Sequence, residues 1–68
     1  MYDLEEIAKQ LSKETGATVA PHEYDVGYWA YYAGREHPPI NSTLCRSGFR
    51  DSKADTKKLV AALSGRKQ

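Results

Sequence analysis

At 68 residues with a net charge of +1 and a single cysteine, Cys45, the chain has room for one small domain and cannot close an intrachain disulfide. Two histidines beside that cysteine fall short of a four-ligand zinc site, no apolar run approaches the roughly 20 residues that span a bilayer, and Met1 is not followed by a basic and then an apolar stretch. Metal-centred, membrane and secreted classes therefore drop out, leaving the expectation of a reduced, cytoplasmic protein whose core supplies at most about 3–5 kcal/mol and which a partner, a second copy or a nucleic acid completes.

Leu4, Ile7, Ala8 and Leu11 recur at helical spacing, and Asp3, Glu5 and Glu6 load the first turn, where the helix dipole favours anions. With Gly16 just past the last periodic position, the spacing predicts an amphipathic helix over 3–14. Residues 16–21 read as a connection with a short extended piece at Thr18-Val19, and Pro21 disfavours a helical Ala20. From His22 onward Tyr24, Tyr28 and Tyr32 fall on successive turns, and the pattern stops at Gly34 with Pro38 and Pro39 barring continuation. This predicts a second helix over 22–34. Asn41, Ser42 or Thr43 can cap a third, over 42–64, along which Cys45, Phe49, Ser52, Thr56, Leu59 and Leu63 form a partly polar stripe widened by Leu44 and Val60.

Four of the seven aromatic residues fall within 28–32, and propensity does not decide their conformation: aromatic richness favours a strand and the two alanines favour a helix. Ser52 and Asp55 also have the spacing of a capping box that would start a helix near Lys53 and leave 40–49 as a strand. The alternative fold is then α+β, a helix, two or three strands and a helix. Gly27, Ala30 and Gly34 weigh against it, because they make a narrow face for another helix and have no evident use in a strand. The expected fold is all-α, three short helices of which the last two form a helical hairpin, with an acidic helix inside 1–16 and the hairpin over 22–64. At least two of the clustered rings are expected in the core.

Charge divides along the chain. Residues 1–34 hold six acids against Lys9 and Lys13, a balance of −4, whereas 35–68 hold eight basic residues against Glu36, Asp51 and Asp55, a balance of +5. Such asymmetry steers one half toward phosphates or toward an oppositely charged protein.

Gly27-Tyr28-x-Ala30-x-x-Ala33-Gly34-Arg35, continued by Cys45-x-x-Gly48-Phe49-Arg50, resembles the signature of the ribosome modulation factor family. These small bacterial proteins bind small-subunit ribosomal RNA in stationary phase and promote ribosome pairing and silencing. The resemblance covers roughly 24–52, with Cys45 where the family prefers Trp and no counterpart for the first helix. It implies two helices joined by a proline-containing loop and a non-enzymatic regulator of the ribosome. A phage- or plasmid-borne relative acting on another target fits the same pattern.

Physical chemistry places the candidate contacts on Arg46, Arg50, Lys53 and Lys57, each three or four positions from the last on one helix face, helped by Arg35 and Tyr31. Cations contact phosphates, and an exposed ring stacks on an unpaired base. The alternative partner is a host protein gripped by the acidic helix and exposed aromatics. Residues 4–11 are similar to the opening helices of helix-turn-helix repressors, yet Gly16 and Pro21 interrupt the stretch where a recognition helix would lie, and it contains no arginine. No cofactor, catalytic residue or metal site is expected: Cys45 with His22 or His37 lacks a third orienting group, and no glycine-rich phosphate loop is present.

Overall fold

In the computed structural model, which describes residues 3–65, Asp3 caps the first helix, α1 (Leu4–Thr15), by accepting hydrogen bonds at Oδ1 from the amides of Glu5 (3.1 Å) and Glu6 (3.4 Å). Arg66 and Lys67, counted in the basic half of the sequence, lie outside the described residues. At the other end Gly16 takes φ +75°, a left-handed conformation, and donates its amide to the Ser12 carbonyl (2.9 Å). Ser12 then links helix to connection: its Oγ donates to the Ala8 carbonyl (2.8 Å) and accepts from the Val19 amide (3.0 Å). Val19 is thereby drawn into the core, only 5% exposed.

The second helix, α2 (Glu23–Tyr32), starts where His22 Nδ1 accepts the Tyr24 amide (3.2 Å). It ends in two reciprocal bonds, Arg35 N–H to the Ala30 carbonyl and Gly34 N–H to the Tyr31 carbonyl (both 3.0 Å), with Gly34 at φ +87° between them. This is the Schellman closure that a glycine at that position permits. Gly34 is thus exposed and conformational in role, not part of the close-contact face that its spacing from Gly27 and Ala30 suggests. After the proline loop, Ser42 Oγ accepts the Cys45 amide (3.0 Å) and caps α3 (Thr43–Gly65). The helix runs through Ser52 and Asp55 without a break, and no strand occurs among the described residues.

Packing follows from small side chains. On α2 the buried positions are Val26, Gly27 and Ala30, and on α3 they are Cys45, Gly48 and Ser52. A Cβ added to Gly27 would collide with the Cys45 carbonyl, and one added to Gly48 with the Tyr24 carbonyl, so the two backbones touch at these glycines. α1 packs on the α2 side through Ala8 and Leu11 and makes no helix-to-helix packing with α3, which leaves α2 between the other two. The core is Ala8, Leu11, Val19, Val26, Ala30, Ile40 and Cys45, with Ile40 folded in from the proline loop. The clustered rings stand around it: Trp29 packs against the core but is half-buried, and Tyr32 is 46% exposed. Their expected place inside is taken by Val26 and Ala30, because only a small face lets α2 approach α3 so closely.

α2, ten residues and about 15 Å long, is too short to cover α3, twenty-three residues and about 34 Å. The apolar stripe therefore splits. Cys45 and Ser52 are buried and Phe49 and Thr56 half-buried, whereas Leu59, Val60 and Leu63 emerge from the body more than half exposed. Ser52 Oγ and Thr56 Oγ1 are enclosed with no hydrogen-bond partner among the described residues.

Gly27→Ala or Gly48→Ala is expected to cost about 2–3 kcal/mol, most of the stability of so small a domain, seen as loss of helical circular dichroism at low urea. Either variant unfolding at the wild-type urea midpoint would contradict the backbone contact. Ser52→Ala, which removes an orphaned buried hydroxyl, is expected to raise stability by about 1 kcal/mol in the same assay.

Candidate nucleic-acid interface

At 3.6 residues per turn, Arg46, Arg50, Lys53 and Lys57 fall within a sector of about 60° on α3. All four are exposed. Arg46 is steadied by a bond from Nη1 to Asn41 Oδ1 (2.7 Å), which keeps the first member of the row against the helix start. The acids of the same helix, Asp51 and Asp55, lie about 150° away around the axis. There each accepts a tyrosine hydroxyl from α2: Tyr24 to Asp51 Oδ2 (2.5 Å) and Tyr28 to Asp55 Oδ2 (2.7 Å). The basic row is consequently free of interleaved carboxylates.

Arg35 and Tyr31 have other neighbours. The Arg35 guanidinium donates from Nη2 to Glu14 (3.3 Å), tying the end of α2 to α1 in an ion pair. Both partners are about a third exposed, so the pair is worth at most about 1 kcal/mol. Its main effect is to hold Arg35 on the α1 side, apart from the row. Tyr31 is half-buried and meets Phe49 edge to face, with centroids 5.5 Å apart and planes at 90°. It therefore braces α2 on α3.

The tyrosine–carboxylate pairs are the interaction that sequence reasoning missed. The hydrogen bond to Asp51, then burial, raises the Tyr24 hydroxyl above its ordinary value near 10.0, and the bond to Asp55, then burial, raises Tyr28 further. A tyrosinate would face a carboxylate, so the folded state keeps both protons. Burial also pushes the Cys45 thiol up, and with 0% exposure it is out of reach of any substrate. His22 Nδ1 is engaged as the α2 cap and His37 is exposed in the proline loop, while no cluster of three or more metal-ligating side chains occurs among the described residues. No helix of the described residues is long and apolar enough to cross a membrane.

No model of a known protein family, no curated protein and no solved structure matches the chain.

Because the folded state holds the Tyr24 and Tyr28 protons more tightly than the unfolded chain, their stabilisation is complete below pH 10 and is lost as pH climbs through the raised folded values. Asp55→Asn is expected to bring Tyr28 back toward 10 and to move part of the tyrosinate absorbance to lower pH in a spectrophotometric titration. Superimposable titrations for the two proteins would refute the pairing.

Proposed function

We propose that the protein is a small non-enzymatic regulator that binds RNA or the ribosome through the exposed face of α3. The observation that carries this reading is the uninterrupted row Arg46, Arg50, Lys53 and Lys57, with the acids of the same helix turned away and bound to tyrosines. Phosphate contact is what such a row does best: each cation releases condensed counterions, and a helix holds the row straight. The position of α2 between α1 and α3 adds support, since it separates the acidic helix from the basic face. Two helices joined by a proline-containing loop are also the arrangement implied by the resemblance to the ribosome modulation factor family. On this reading the row alone makes the contacts, since Arg35 is held by Glu14 on the α1 side and Tyr31 is packed on Phe49.

The test is co-sedimentation with purified ribosomal small subunits across a salt series. Salt-sensitive binding that weakens at least tenfold in Arg46→Glu/Arg50→Glu is expected, and no co-sedimentation at low salt would remove the proposal. A protein-binding inhibitor or adaptor, such as a phage-encoded factor docking on a host protein, is the second reading, favoured by exposed Glu5 and Glu6 and by the uncovered Leu59, Val60 and Leu63. Deleting α1 would remove Ala8 and Leu11 from the core, so Glu5→Gln/Glu6→Gln separates the two. Tighter RNA binding in that variant supports the regulator, and loss of a captured protein with RNA binding unchanged supports the adaptor.

A further inference from the structure

Every aromatic ring among the described residues already has a ring partner. Tyr24 stacks on Tyr28 (6.4 Å), Tyr28, Trp29 and Tyr32 meet one another edge-on (5.2–5.8 Å), and Tyr31 sits on Phe49. Two of the hydroxyls are held by carboxylates as well. Proteins that capture unpaired bases keep open ring faces beside a basic groove. The basic row of α3 has none standing free beside it.

The row itself has a different geometry. It is straight, covers about 60° of the helix surface and extends about 16 Å from Arg46 to Lys57. On one flank lie Thr43, Ser47, Ala54 and Ala61, side chains too short to reach base edges past the cations and small enough to let a sugar-phosphate backbone come close. A helix that reads bases in a major groove carries side chains able to pair with base edges, such as Asn, Gln or Arg, between its phosphate contacts. Beyond Arg46 and Arg50 themselves, which the salt slope counts as phosphate contacts, no Asn, Gln or further Arg stands in this row. A straight line of cations meets its match in phosphates held at fixed spacing, and a duplex also presents charge at one per about 1.7 Å of axis against about 3.4 Å for each strand.

We infer that α3 binds the phosphates along one strand of a nucleic-acid duplex without reading its bases. This rests on the RNA-binding reading above and names the form of nucleic acid that the face takes. The test is a fluorescence-anisotropy titration of the full chain against a short RNA duplex, a DNA duplex of the same sequence and an unpaired oligouridine, at salt from about 50 to 200 mM. Both duplexes are expected to bind within a few-fold of each other and more tightly than oligouridine. For the DNA duplex, four contacts give a log–log salt slope of about −3.6, and Arg50→Gln or Lys53→Gln each reduces it by about 0.9. Tyr32→Ala, which alters the most exposed ring, is expected to change nothing.

Preference for oligouridine, loss of affinity in Tyr32→Ala comparable to Arg50→Gln, or a duplex RNA complex with no DNA counterpart would each overturn this inference and leave RNA binding standing. Failure to bind any of the three at the lowest salt, with helical circular dichroism intact, would overturn both.

Discussion

The structure depends on one contact, the meeting of the α2 and α3 backbones at Gly27 and Gly48. The core holds few large side chains, with Leu11 and Ile40 the bulkiest of its apolar members. With so little area to bury, close approach substitutes for volume, since dispersion attraction falls away over fractions of an ångström. The same proximity brings Tyr24 and Tyr28 within reach of Asp51 and Asp55. A wider helix separation would leave those hydroxyls and carboxylates to water.

From that contact the electrostatics of the molecule derive. α3 carries acids as well as bases over residues 46–58, a composition that would ordinarily pair with itself across successive turns. Here α2 occupies the acids with neutral donors instead of cations, which leaves the positive charge of the opposite face uncompensated. On α1, Glu14 does the converse with Arg35 and removes a cation from the exposed set. The result is an ordered polarity, with negative charge on α1 and a positive edge on α3 on either side of α2. A near-zero net charge gives no hint of it.

Much of the fold is legible in the sequence because its signals are local. Asp3, Gly16, Gly34 and Ser42 act within a few residues of themselves, and they start or stop the helices within two positions of where spacing puts the ends. Gly27 and Ala30 are legible too as a face made for a neighbour. The rest requires knowing which neighbour: Gly48 stands out only through a family resemblance, and nothing local marks Asp51 and Asp55 as tyrosine acceptors. Spacing makes the stripe along α3 continuous, yet its outer half has no partner because α2 is too short, a fact about two elements that neither sequence segment contains. For the interface, the phase of Arg46, Arg50, Lys53 and Lys57 comes from helical spacing alone. The diversion of Arg35 to Glu14 is a long-range pairing and leaves no local trace.

The outer half of α3 gives the basic row a gradient of firmness. Arg46 stands on a capped helix start and is tethered to Asn41, Arg50 and Lys53 lie over the packed segment, and Lys57 begins the stretch that no other helix covers. Short uncovered helix is marginal in water, so order in those last turns is borrowed from the segment before them. A rigid ligand lying along the row would find its first contacts preformed and would order the last one as it bound. Engagement would then proceed in one direction, from the proline loop outward, with the conformational entropy of the α3 end setting how much of the final contact is realised.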